Sequence, residues 1–322
     1  MMDKAIREFP KQFAYEPVIE NAGALQRRDA FVVGGMGGSA HSSALMKLND
    51  PYLDIVVHRG YGLPKLQDAD LERRLVIAIS YSGGTEEPLD MYRAAQKKGL
   101  PLAAVATGGK LIDMARADGV PYVLMPGAEL QPRSGLAYTL RAQMKLMGDT
   151  AGLEETAALA KTLNPGESEG RGKELAARLK GKLPIVYSSF DFDYLGYVWK
   201  IKLNETGKIP AYRDVFPELN HNEMSAYDVI PATKHLSQNN YFIFLRDKND
   251  HPRIQKRMEV TKKLYEERGL TVEEIFLEGR TTWEKIFSSL FIADWASYYT
   301  ALANGADPEN VTLQVQFKKL IV

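Results

Sequence analysis

LVIAISYSGGT, residues 75–85, opens with five apolar residues and ends in a cluster of hydroxyls and glycines. Its first half is a buried strand by length and by its Val and Ile content. Its second half is a tight, glycine-bearing turn, and the segment beyond, with Leu89 and Tyr92 on its inner face, reads as a helix. Ser80, Ser82 and Thr85 therefore stand at a helix N-terminus, where unpaired backbone N–H groups and the positive end of the helix dipole complement a phosphate. The loop has no lysine or arginine and no G-x-x-x-x-G-K-[ST] pattern, so it suits a monophosphate rather than a nucleoside triphosphate. The same hydroxyls also suit plain helix capping and turn closure, and at this point both uses stay open. Glu86 and Glu87 belong to the first helical turn and are expected to face solvent.

A similar unit precedes it at 31–40, FVVGGMGGSA, again a strand, a glycine turn and a helix. Gly35, Gly37 and Ala40 fit the G-x-G-x-x-A form of the dinucleotide fingerprint. That fingerprint also wants an acidic residue near the end of the next strand, and here the strand ends in His58-Arg59 with Asp54 near its start, which weighs against a nicotinamide cofactor. Further apolar runs at 53–57, 102–106 and 121–125, with a closing helix near 133–150, predict an α/β sheet of parallel type. Residues 151–182, broken by Asn164-Pro165-Gly166, read as connecting helices. The alternation restarts at 183–189 and continues with strands at 209–216, 241–245 and 271–277 and helices through 195–205, 252–268 and 282–302. The expectation is a duplicated architecture: domains at 1–155 and 183–322 joined by a helical connection at 156–182, each a mainly parallel five-stranded sheet flanked by helices. The tail fits a helix started by Asp307-Pro308-Glu309, although Val311, Leu313, Val315 and Phe317 also alternate like a strand; the helix is expected.

Composition narrows the chemistry. The 322 residues carry 41 Lys+Arg against 41 Asp+Glu, which removes any bulk electrostatic case for nucleic acid. No apolar run approaches the ~18 residues of a membrane span, and the charged N-terminus is unlike a secretory signal, so a cytoplasmic protein with no membrane partner is expected. With no cysteine and five scattered histidines, no metal site is expected.

Ser39 after GGMGG, together with SYSGGT, resembles the sugar isomerase (SIS) domain, and the restart at 183 looks like the second SIS domain of a tandem pair. Pro132-Arg133 opening a helix, Asn204-Glu205, Pro217-Glu218 followed by His221-Asn222, and Lys318 near the C-terminus are similar to the bifunctional phosphoglucose/phosphomannose isomerase family. The resemblance spans nearly the whole chain. It implies a phosphosugar whose phosphate is held by Ser39, Ser80, Ser82 and Thr85, with the Gly37 and Gly38 backbone against the ligand. It implies Arg133, Glu205, His221 and Lys318 around the reacting carbons, no cofactor, and a homodimer in which His221 comes from the neighbouring subunit. One position departs: where the family commonly has a threonine linked to accepting mannose geometry, Val311 stands here and Thr312 follows one place late.

The residue types make chemical sense. Interconverting an aldose phosphate and a ketose phosphate moves a proton between C2 and C1 through a cis-enediol, which one carboxylate can do. Along a 195–205 helix Glu205 falls near Val198 on the border of the apolar face, and partial burial disfavours the charge of a carboxylate and suits it to act as a base. Its plain alternative is a boundary glutamate paired with Lys202 or Lys208. Arg133 would stabilise enediolate charge, or form a surface ion pair. His221 lies in a polar stretch without apolar periodicity, which weakens the buried core-histidine reading, and is the residue type suited to the proton exchange that opens a sugar ring. Lys318-Lys319 otherwise matches a helix dipole. Two alternatives stand beside the isomerase: an SIS isomerase or deaminase acting on an amino-sugar phosphate, and a non-catalytic phosphosugar sensor. A sensor has no need of Glu205 with His221 and would usually carry a basic DNA-binding module, of which the sequence shows no sign.

Overall fold

The structure is a computed structural model and describes residues 2–321. These separate into two compact units, 8–162 and 2–7 with 163–321. The expected connection at 156–182 is divided accordingly: the helix Thr150–Thr162 belongs to the first unit and Pro165–Arg178 to the second.

The first unit is built on five parallel strands, β1 (Phe31–Gly34), β2 (Ile55–His58), β3 (Leu75–Ile79), β4 (Leu102–Ala106) and β5 (Tyr122–Leu124), in the order β2-β1-β3-β4-β5. Both faces of its centre are covered, which is why β3 reads as an unbroken apolar run. Val76 and Ala78 pack with Leu89, Tyr92 and Leu111 on one face; Ile77 and Ile79 pack with Ala142 and Leu146 on the other. The strand order reverses between β1 and β3, and the crevice beyond their carboxyl ends is where open α/β sheets take ligands.

The second unit holds β6 (Leu183–Ser189), β7 (Tyr212–Phe216), β8 (Asn240–Arg246) and β9 (Thr271–Phe276), parallel, in the order β7-β6-β8-β9. This sheet has four strands, and the expectation of five is corrected. The tail, whose alternation also fitted a strand, folds as the helix Thr312–Leu320. Asn310 accepts the Thr312 N–H at 2.9 Å at its start, and Lys318 and Lys319 occupy its last turn, where their charge complements the dipole. Among the described residues, no helix is long and apolar enough to cross a membrane.

Candidate active site

The turn after β1 and the turn after β3 are joined by their hydroxyls. Gly37 starts the helix Gly38–Asn49 with a positive φ of 51°, and a side chain at Gly38 would meet the Pro132 carbonyl at 3.0 Å, so glycine lets this helix start approach the Pro132–Ser134 turn. Ser39 is buried and its Oγ accepts the Tyr81 N–H at 3.1 Å. Ser80 is wholly buried: its Oγ donates to Thr85 Oγ1 at 2.9 Å and accepts the Thr85 N–H at 3.1 Å. Ser82 is exposed and Thr85 half-buried. No side chain caps the helix Glu86–Lys97, so the simple capping use of the Thr85 hydroxyl is not the one made; the Ser80–Thr85 bond closes the turn instead. Glu86 faces solvent and takes the Tyr61 hydroxyl at 3.0 Å.

Tyr81, which sequence reasoning passed over, organises these two turns. Besides the bond to Ser39, its carbonyl accepts Thr107 N–H and Oγ1 at 2.9 and 2.8 Å, and its hydroxyl donates to the Gly127 carbonyl at 2.8 Å. Arg133 lies half-buried in the short turn Pro132–Ser134, with the helix Leu136–Met147 starting after it; it does not itself open that helix.

In the second unit the helix Asp193–Glu205 ends on Glu205, which is half-buried and lines a cavity of about 580 Å³ with Asn204, Lys208, Asn310, Val311 and Thr312. Of the lysines of the plain reading, Lys202 is engaged elsewhere and Lys208 reaches the Glu205 main chain. Lys202 pairs with Asp294 at 2.5 Å, and Lys208 Nζ donates to the Glu205 carbonyl at 2.5 Å and to the Asn310 carbonyl, tying the helix end to the tail. Thr312 donates its hydroxyl to Asn310 Oδ1, so the cavity wall presents both Val311 and a threonine already bonded.

His221 is exposed, its N–H held by the Glu218 carbonyl at 2.9 Å, and the buried core-histidine reading falls. It is not among the residues lining the Glu205 cavity, and neither is Lys318, which is exposed in the last helical turn. Topology explains the separation. The connection between two parallel strands must return to the amino edge of the sheet. Glu205 therefore precedes the start of β7, whereas His221 follows its end; five residues at about 3.3 Å each span ~17 Å.

Residues 168–321 match the family model described as bacterial phospho-glucose isomerase C-terminal SIS domain. The chain is 34% identical to the bifunctional phosphoglucose/phosphomannose isomerase of Caldicellulosiruptor bescii, over 88% of this chain and 86% of the relative. It is 30% identical to the protein of the same name from Aquifex aeolicus, over 95% and 93%. Among solved structures, glucosamine-6-phosphate deaminase from Thermotoga maritima superposes with a TM-score of 0.68 at 15% identity, covering 96% of this chain and 95% of that one, a likeness of fold. With two relatives at this identity across nearly their whole length, the chain belongs to the bifunctional phosphoglucose/phosphomannose isomerase family.

Proposed function

We propose that this chain interconverts fructose 6-phosphate with glucose 6-phosphate and mannose 6-phosphate, moving a proton between C1 and C2 through a cis-enediol with Glu205 as the base. The observation that carries the reading is Glu205 itself, a half-buried carboxylate on the wall of a sugar-sized cavity, with Lys202 one turn before it paired to Asp294. Glu205 takes the proton from C2 of the aldose and returns it to C1 as the carbonyl moves from C1 to C2, so no external oxidant or reductant enters. The enediol has no stereocentre at C2. Which epimer forms is set by the face of C2 turned toward the carboxylate, and Val311 and Thr312, on the same cavity wall, are placed to influence that choice.

The remaining roles follow from exposure and chemistry. Ser82 and Thr85 meet the phosphate at the helix start, Ser39 and Ser80 hold the two turns in shape, and the Gly37 and Gly38 backbone lies against the ligand. Arg133 offsets enediolate charge. His221 exchanges protons with the ring oxygen and anomeric hydroxyl, and Lys318 steadies a sugar oxygen. The working form is a homodimer in which His221 acts in the neighbour's site; its support is the placement of Glu205 and His221 toward opposite ends of β7.

Glu205→Gln should lower turnover by about 10²–10⁴-fold while leaving phosphosugar binding within a few-fold. Near-normal turnover would remove Glu205 from the mechanism. Mixing this variant with an inactive His221→Ala variant under subunit exchange should restore activity through one sound composite site; no recovery with exchange demonstrated would refute the shared dimer site.

A further inference from the structure

The loop that carries His221 is fastened to the second sheet through a pair of acids that the proposed mechanism does not use. Glu223, two residues past His221, starts the short turn Glu223–Tyr227, and its Oε1 accepts the Tyr187 hydroxyl at 2.6 Å. Tyr187 is fully buried in the middle of β6, where its neighbour across the ladder is Asp214 of β7. The Glu223 carboxyl also meets Asp214, and two carboxyl groups brought together in a buried place hold a proton between them more readily than either does alone. Facing Glu223 are Tyr187 from β6, Asp214 from β7, Tyr227 from its own turn and Tyr265 from the helix Pro252–Glu267. Burial, and then the Asp214 bond, raise Glu223 to about 7, so the shared proton leaves near neutrality.

We infer that Glu223 is a positioning residue for His221: protonated, its carboxyl bridges Tyr187 and Asp214 and holds the 218–227 loop on the sheet, and ionised, it is pushed from Asp214 and the loop loosens. The rest of the loop is anchored independently, by Asn220 Nδ2 on Thr261 Oγ1 at 2.9 Å and Arg257 on Asn220 Oδ1 at 3.2 Å. Loss of the proton therefore loosens the loop without detaching it. The inference rests on the reading that His221 acts in ring opening. It adds an alkaline limb to the rate that belongs to Glu223 and not to His221.

The test compares the native protein with Glu223→Gln and Glu223→Ala from pH 6 to 8.5. Glutamine donates to the Asp214 carboxylate and accepts from Tyr187 without titrating. The native protein should lose several-fold in kcat as the pH passes about 7, with KM moved less. Glutamine should flatten that limb, and alanine should lower kcat about tenfold at every pH. Amide hydrogen exchange across 218–227, corrected for its intrinsic pH dependence, reads the loop without reference to catalysis. Protection should fall over the same pH range in the native protein and stay level in Glu223→Gln. Loop exchange that responds as expected while kcat ignores both variants would fault the role of His221. Loop exchange that is independent of pH, or a limb that survives in Glu223→Gln, would overturn the role of Glu223.

Discussion

A hydroxyl whose hydrogen-bonding capacity is used inside the fold has less to offer a ligand, and the loop after β3 divides its hydroxyls on that line. Ser80, bonded twice to Thr85 and wholly buried, shapes the turn; Ser82, exposed on the same turn, keeps its hydroxyl open to solvent, as the proposed phosphate contact requires. Ser80→Ala should therefore cost about 1–2 kcal/mol of stability. Ser82→Ala should leave stability within about 0.5 kcal/mol and raise KM about tenfold. Thermal melts beside steady-state rates check both, and equal effects on stability would refute the division. The run of hydroxyls was legible in the sequence because it is local. Its division was not, because it depends on contacts distant in the chain: the Ser39 to Tyr81 bond links residues 42 positions apart. For the same reason Tyr81 gave no signal beyond being a tyrosine among serines, although it joins the turns after β1, β3 and β4. Asp214 and Glu223 were equally invisible as a pair, since only the alignment of β6 with β7 brings them to Tyr187.

At the scale of elements, strands buried on both faces announced themselves as apolar runs, and β3, β4 and β6 begin and end at the residues expected of them. β7, with half-buried Arg213 and Asp214 at its centre, starts three residues later than its expected span. Strand order is absent from any local pattern, yet it brings the glycine- and hydroxyl-bearing turns after β1 and β3 side by side at the reversal beside β1. The second sheet has an equivalent reversal beside β6, between β6 and β8, and buried charged side chains follow the end of β8. Asp247, just past β8, is buried and accepts from buried Lys285 at 2.7 and 2.8 Å and from the Asn249 N–H at 3.1 Å, with Asp250 also buried three residues on. Carboxylates there disfavour a phosphate. A duplicated architecture should thus bind one phosphosugar per chain, measurable by titration calorimetry; two equivalent sites per chain would contradict this. The tail illustrates the opposite limit of pattern reading, because a nine-residue segment with both periodicities is decided by its start at Asn310.

For the whole molecule, balanced charge and the absence of cysteine already turned attention from nucleic acid and thiolate metal centres to a small neutral-to-anionic substrate. The Glu205 cavity then placed the candidate base, and the β7 connection separated it from His221, a separation that no motif spacing of sixteen residues could reveal. On the proposed mechanism one chain type forms both epimers from a common enediol. The most direct measurement supplies the purified protein with fructose 6-phosphate in excess EDTA and resolves glucose 6-phosphate and mannose 6-phosphate over time. Appearance of both products, each lost in Glu205→Gln, is the predicted result; formation of neither, with phosphosugar binding intact, would contradict the account.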